Sequence, residues 1–323
     1  MIGDEEPRAK RALVADIGGT NARFALADLA TLTLSACHQI RCADHQSLAA
    51  ALGAYLATLP ERPEQAAIAV AGPVTSGTIS LTNAPWSFTG EELCRTTGLD
   101  GMMLLNDFAA LAHALPYLAG ADLHQIGGCE PVEHGAKLVL GPGTGLGVAS
   151  LIWSGESFIA VPGEGGHVTL GAGDQRELAL LERVRKGREH LSAERVLSGP
   201  GLAELYRAMA AAHGEDEGKL QPNDVIEAGL AGDVLASEVL ELFVSFLGRF
   251  AGDAALLMGA RGGVYLGGGI APKIASVLSS GAFRASFERK GRMAAYLEPI
   301  PVYVILAEFA TLKGAAAALR AAS

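Results

Sequence analysis

The stretch LLNDFAAL, Leu104 to Leu111, sets an amide and a carboxylate, Asn106 and Asp107, between a short apolar run and an Ala/Leu-rich segment. MMLLND followed by FAALAHAL reads as a strand that turns straight into a helix. Two chemistries fit such a pair. Asn and Asp are favoured N-caps, because their side-chain oxygens accept hydrogen bonds from the first unpaired helix N–H groups. Capping accounts for one of the two residues. The other chemistry is that of a base, since ligands of α/β proteins bind at the carboxyl ends of strands. The local sequence leaves both open.

Three glycine turns offer a different chemistry. Asp16-Ile17-Gly18-Gly19-Thr20-Asn21 follows a buried-strand pattern and precedes another strand. Exposed N–H groups in such a turn make a concavity for phosphate oxygens, and Thr20 adds a hydroxyl. Asp16 can stand beside the same phosphates only with a cation between them, and Mg²⁺, held through water, fits that need. Gly141-Pro142-Gly143-Thr144-Gly145-Leu146-Gly147 repeats the arrangement. A strand follows it where a dinucleotide fingerprint needs a helix, and it lacks the G-K-[ST] of a Walker loop. Gly267-Gly268-Gly269, after GVYL, could let a flat purine ring lie on bare backbone. Each turn alone could equally be an ordinary tight turn; three at strand ends, two of them with Thr, favour ligand binding.

VPGEGGHVTL carries Glu164 and His167 with two glycines between them, so one loop can present both to one ligand. Taken singly, they read as a solvated carboxylate and a satisfied neutral imidazole. A metal reading of Glu-x-x-His lacks a third ligand at suitable spacing. Glu194, in HLSAERVLSGPG, follows Ser192 at an expected helix start, where the helix dipole would favour it.

The elements that must position these residues form two blocks. The first has the hairpin ALVADI–GGTN–ARFALADL, a helix in HQSLAAALGAYLATLP, the strand QAAIAV ended by Gly72–Pro73, a strand and loop in TISLTNAPWSF and a short helix EELCRTT. The second has the hairpin around GPGTG, helices in LALLERVRKG and SGPGLAELYRAMAAAHG, and a long amphipathic helix from Asp233 to Leu257 with Val239, Leu242, Phe243, Phe246 and Phe250 on one face. A strand in GVYL and a final strand and helix in VYVILAEFATLKGAAAALRAA complete it. The block boundary is expected near Pro116–Leu123, with the last helix packing back on the first block.

The length of 323 residues suits two domains, and abundant Ala with 41 Gly suits tightly packed α/β layers. A net charge of -10 disfavours nucleic acid and anionic membranes as partners. The leader MIGDEEPRAK has no apolar core, so no secretory signal is expected. No apolar run approaches the ~18 residues of a spanning helix. Four cysteines without a C-x-x-C pair read as reduced thiols of a cytoplasmic protein.

Together the strings ADIGGTNARFAL, LLNDFAALA, LGPGTGLGVA, VPGEGGHVTLG, LSAERVLSGPGL and YLGGGIAPKI resemble, in order and over nearly the whole chain, the bacterial glucokinase family of the hexokinase, actin and heat-shock ATPase superfamily. The resemblance implies an α/β fold of two actin-like (ribonuclease-H-like) lobes with mixed sheets flanked by helices and the active site in the cleft between them. The smaller lobe would hold residues 1–117 plus 308–323, the larger 118–307. It implies transfer of a phosphoryl group from MgATP to the 6-hydroxyl of D-glucose. Asp107 would be the catalytic base, Asn106, Glu164, His167 and Glu194 the sugar ligands. Asp16, Gly18, Gly19, Thr20, Asn21, Gly143, Thr144, Gly145, Gly267, Gly268 and Gly269 would line ATP.

The related ROK kinases carry a cysteine-rich zinc motif after the substrate histidine. Here His167 is followed by VTLGAGDQREL, without cysteine, so no zinc is expected. Rival readings are a kinase for another hexose or an N-acetylhexosamine, a sugar-responsive regulator without catalysis, and an actin-like or chaperone-like ATPase. A regulator's N-terminal helix-turn-helix is not expected, since a strand pattern begins within the first fifteen residues, and the ATPases lack EGGH and SAER. The sequence does not fix the oligomeric state; a homodimer using the outer face of the helix from Asp233 is compatible with it, as is core packing.

Overall fold

The computed structural model describes residues 10–72, 74, 78–80, 86–214, 218 and 220–322. The chain divides into two compact units, one ending at Leu118 and resumed from Ala307, the other running from Ala119 to Leu306. Both are mixed sheets flanked by helices. Pro73 and 81–85 of the TISLTNAPWSF segment lie outside the described residues.

The first unit is built on strands β1 (Arg11–Ile17), β2 (Asn21–Asp28), β3 (Leu34–Arg41), β4 (Gln65–Val70), the two-residue β5 (Ile79–Ser80) and β6 (Ser87–Phe88), and β7 (Gly101–Asn106). The main sheet has the order β3-β2-β1-β4-β7, antiparallel through β3, β2 and β1 and parallel through β1, β4 and β7. Period-2 alternation along β1 explains the layering. Leu13, Ala15 and Ile17 enter one core with residues of α1 (Leu48–Leu56) and α2 (Gly90–Thr97). Ala12 and Val14 enter a second core with α3 (Asp107–Ala114) and the C-terminal helix, Ala310–Ala322.

That second face is mostly alanine: Ala12, Ala25, Ala27, Ala67 and Ala69 from the sheet meet Ala315, Ala316, Ala317 and Ala318. Small side chains let backbones approach closely. A Cβ at Gly314 would fall inside the van der Waals envelope of the Ala110 carbonyl oxygen on α3.

The second unit has strands β8 (Leu123–Gln125), β9 (Lys137–Pro142), β10 (Leu146–Trp153), β11 (Phe158–Gly163), β12 (Val264–Leu266) and β13 (Val302–Ile305). Their order is β11-β10-β9-β12-β13-β8, parallel through β9, β12 and β13 and antiparallel elsewhere. Its helices are α4 (Gln175–Arg185), α5 (Gly199–His213), α6 (Pro222–Leu230), α7 (Val234–Met258), and the short α8 (Ala275–Leu278), α9 (Ala282–Glu288) and α10 (Ala294–Leu297). Asp233 caps α7 through the Ala236 N–H, and Gly259 ends it with φ 60°.

The single stripe expected on α7 is too narrow. Leu235, Leu240, Val244 and Leu247 are buried as well as Val239, Phe243, Phe246 and Phe250, while Leu242 is only partly covered. The helix is packed on several sides by α5, α6 and α9, which places it in the core. No helix of the described residues is long and apolar enough to cross a membrane.

Candidate functional site

The junction between β7 and α3 divides the two roles open in the sequence. Asn106 is the N-cap: its Oδ1 accepts from the N–H groups of Phe108 at 2.9 Å and Ala109 at 3.0 Å. Its Nδ2 donates to the Gly72 carbonyl at 3.1 Å, which ties the junction to the end of β4. Asp107 is the first helical residue and half-buried, with Oδ1 accepting from the Phe108 N–H at 2.9 Å. The helix start is therefore satisfied by the amide, and Asp107 is not required as its cap.

The Asp16–Asn21 turn lies on the same edge of the first sheet. In register, Ile17 pairs with Val70 and Val70 with Asn106. Adjacent strands are about 4.8 Å apart, so the backbones of Ile17 and Asn106 are separated by roughly 10 Å. Gly18, Gly19, Thr20 and Asn21 continue from that edge.

Within the turn the carbonyls of Gly18, Thr20 and Asn21 are occupied. The Gly18 N–H donates to Asn21 O at 3.0 Å, the Cys42 N–H to Thr20 O at 2.8 Å, and the Cys42 thiol to Gly18 O at 3.4 Å. Among the described residues the N–H groups of Gly19 and Thr20 donate to no protein acceptor. A turn with engaged carbonyls and available N–H groups attracts anions.

Asp16 is 17% exposed, and Arg23 Nη1 stands 3.2 Å from its Oδ2. Burial pushes its carboxyl above the usual range, and the guanidinium opposes that shift. Arg23 was not singled out by its residue type. The signal for it was the hairpin register, which pairs Asp16 with Arg23.

In the second unit the other two glycine turns sit on neighbouring parallel strands, β9 and β12. They pack on each other: Gly267 N–H donates to Leu140 O at 2.9 Å and Ile270 N–H to Pro142 O at 3.1 Å. A Cβ at Gly141 would fall on the Gly267 carbonyl, and Gly268 holds φ 77°. These glycines are demanded by loop-on-loop contact, a reason the sequence did not show. Gly143, Thr144 and Gly145 form the hairpin tip, where Gly143 N–H bonds Gly145 O at 2.8 Å and Gly143 O accepts from Gly199 N–H at 2.8 Å. A strand, β10, follows the tip.

The loop after β11 carries Glu164 and His167: Glu164 immediately precedes a 3-10 turn, Gly165–His167, and His167 ends it. Their side chains are 60% and 61% exposed, with Oε2 and Nε2 3.9 Å apart. The strand-like segment that follows pairs antiparallel with the one preceding Glu194: Thr169 bridges Ser192, and Ala193 N–H donates to Val168 O at 2.8 Å.

The helix start expected at Ser192 is a three-residue 3-10 turn, Ala193–Arg195. The true helix, α5, starts at Gly199, with Ser198 Oγ accepting from Gly201 N–H at 3.1 Å. Glu194 is held instead by the hairpin tip, with Oε2 accepting from Leu146 N–H at 2.9 Å. Glu164, His167, Glu194 and both glycine turns thus gather within the second unit, whereas Asp16–Asn21, Asn106 and Asp107 belong to the first.

A family model for glucokinase matches residues 13–322. The chain belongs to the glucokinase family. It is 44% identical over 309 residues to the glucokinase of Neisseria meningitidis serogroup C, covering 95% of this chain and 94% of that one. The crystal structure of glucokinase from an Antarctic psychrotroph is similar at 39% identity with a TM-score of 0.86, covering 97% of this chain and 99% of that chain. A ROK family glucokinase from Streptomyces griseus, solved in complex with glucose and AMPPNP, shares the fold at a TM-score of 0.66 and 20% identity, over 95% of this chain and 98% of that one. Membership of the glucokinase family makes the protein an enzyme of the sugar-kinase class.

The donor set around Asp16 bears on a divalent ion. Among the described residues no group of three or more His, Cys, Asp or Glu side chains could hold a metal. A lone, mostly buried carboxylate suits Mg²⁺, which keeps its waters and binds one or two carboxylates together with substrate phosphates.

Proposed function

We propose that the protein transfers the terminal phosphoryl group of ATP to the 6-hydroxyl of D-glucose, with Asp107 as the base. The observation that carries this reading is the division of labour at the β7–α3 junction. Asn106 satisfies the Phe108 and Ala109 N–H groups, and Asp107 follows it at the carboxyl edge of the sheet, where the backbones of Asn106 and Ile17, the residue that leads into the anion-attracting turn, are about 10 Å apart. The names of the relatives support the sugar, and the fold likeness to a kinase solved with glucose and an ATP analogue supports the nucleotide.

Phosphoryl transfer leaves a protein mainly positioning and charge stabilisation to perform. A carboxylate is a weak base toward a free alcohol. It is adequate late in the transition state, when the oxygen is bonding to phosphorus and its proton has become acidic. Asp107 orients the hydroxyl and accepts that proton. Asn106, Glu164, His167 and Glu194 pair the remaining sugar hydroxyls. The N–H groups of Gly19 and Thr20, and the turns at Gly143–Gly145 and Gly267–Gly269, hold the nucleotide. Asp16 would hold Mg²⁺ through water, and the ion would supply neutralising charge to the phosphates.

ADP release against a panel of hexoses tests the reading. Glucose is expected to give the highest kcat/KM; preference for fructose or an N-acetylated hexosamine would replace it. Two variants refine the sugar side. Glu164→Gln leaves a sugar hydroxyl poorly paired, at about 1–3 kcal/mol, so glucose KM should rise about tenfold with ATP KM unchanged. The reverse pattern would remove Glu164 from the sugar. Glu194 separates differently, because an amide oxygen can still accept from Leu146 N–H. Glu194→Gln should raise glucose KM alone, whereas Glu194→Ala should raise both KM values. Steady-state kinetics in both substrates reads the difference.

A further inference from the structure

A buried ion pair lies behind the sugar-side loop and has no role in the chemistry above. Arg249, on α7, and Glu177, on α4, are 12% and 7% exposed. Arg249 Nη2 donates to Glu177 Oε1 at 2.9 Å, and its Nη1 donates to the Gly171 carbonyl at 3.0 Å. Glu177 Oε2 accepts from the Gly173 N–H at 2.5 Å, and the guanidinium lies 5.4 Å from the centre of the Phe246 ring. A Cβ at Gly173 would fall on Arg249 Nη2, so the loop closes on the guanidinium only because it is glycine there.

The pair therefore grips two backbone groups, one of each polarity, in the segment that leaves His167 for α4. The near end of the same segment is tied to the Glu194 side: Leu170 N–H donates to Leu191 O at 3.3 Å, and the His190 ring nitrogen Nε2 lies 2.9 Å from His167 O. His167 and Glu194 thus ride on one paired unit whose far end is fixed to the longest helix of the core.

We propose that Arg249 and Glu177 are positioning residues for sugar recognition: the pair sets where the His167 and Glu194 segments stand, and neither residue touches substrate. This rests on the assignment of His167 and Glu194 to the sugar. A displacement of the His167 and Glu194 segments lengthens their hydrogen bonds to the sugar, and each sugar hydroxyl left poorly paired costs about 1–3 kcal/mol, on the order of tenfold in affinity. A purely structural pair would instead lower stability and leave both KM values alone.

Removing one partner strands a buried charge and endangers folding. The test is the double variant Arg249→Met with Glu177→Leu, which removes both charges and keeps apolar volume. Glucose KM is expected to rise about tenfold or more, with ATP KM within about twofold of wild type. Gly173→Ala is the second variant, keeping both charges while pushing the guanidinium off the loop; the same split is expected. Hydrogen exchange of the peptide 163–172 gives a readout independent of turnover, and should accelerate about tenfold in either variant.

Unchanged glucose KM, equal shifts in both KM values, or unchanged exchange in a folded variant would overturn the proposal. Failure of wild-type protein to release ADP with any hexose would instead overturn the assigned reaction; exchange at 163–172 would still decide whether the pair positions the loop.

Discussion

Asp107→Ala should lower kcat by about 10²- to 10⁴-fold, the usual contribution of a positioned general base, while glucose affinity stays within about tenfold. The two effects separate because Asp107 and Asn106 do different work. Asn106 keeps its bonds to the Phe108 and Ala109 N–H groups and to the Gly72 carbonyl in the variant, so α3 still begins where it did. Loss of a carboxylate from the first turn of a helix costs about 0.3–1 kcal/mol through the helix dipole, too little to unfold the unit. Glucose binding measured by calorimetry and turnover measured by coupled ADP release give the two numbers. The reciprocal variant, Asn106→Ala, removes the cap and should cost about 0.5–2 kcal/mol of stability. If Asp107→Ala turns over normally, Asp107 has no part in the reaction.

Gly314→Ala should destabilise the protein, although alanine is the better helix former by about 1 kcal/mol. The added methyl falls on the carbonyl oxygen of Ala110, a backbone atom inside α3 that has no rotamer to escape into. Overpacking of this kind costs about 1–3 kcal/mol where side chains can yield, and here two helices must separate. The steric term exceeds the propensity term, and the midpoint of thermal unfolding should fall by about 5 °C or more.

Gly53→Ala in α1 is the matched control, since a Cβ at Gly53 meets nothing within 4 Å. It should raise stability by about 0.4–1 kcal/mol. Opposite signs for the same substitution in two helices of one unit are the expected outcome. A rise in melting temperature for Gly314→Ala would contradict the close approach of the two helices.

What was legible in the sequence was what repeats or punctuates. The two hairpins around GGTN and GPGTG, the strand–helix switch at Asn106 and the run of α7 all carry strong period or turn signals. β3 was not legible, because LSACHQIR is an exposed edge strand without apolar alternation. The helices α8–α10, of four to seven residues, are too short for a helical period to declare itself, and in α6 only Val225 and Ile226 are buried, so it shows no apolar stripe beyond the start that Pro222 marks.

In the candidate site, residue types were readable and their partners were not. Glu194 stood out beside Ser192, yet its acceptor role toward Leu146 N–H depends on a contact between segments 48 residues apart. Likewise the glycines at 141 and 268 announced tight backbone, and only the pairing of β9 with β12 shows that each faces the other's loop. Cys42 gave no sign of clasping the Asp16–Asn21 turn, since a thiol 24 residues from Gly18 carries no periodic signal.

The C-terminal helix has a consequence for biosynthesis. Its Leu312, Ala315, Ala316 and Leu319 cover a sheet face whose strands all precede Asp107. On a ribosome adding roughly 5–20 residues per second, that face waits about 10–40 s while the second unit is made. The unit begun first is finished last, and until then α3 is the one helix of the unit available to that sheet face. Ala12, Ala25, Ala27, Ala67 and Ala69 on that sheet offer little apolar area apiece, so an unshielded surface of methyl groups gives stray partners and chaperones a poor grip.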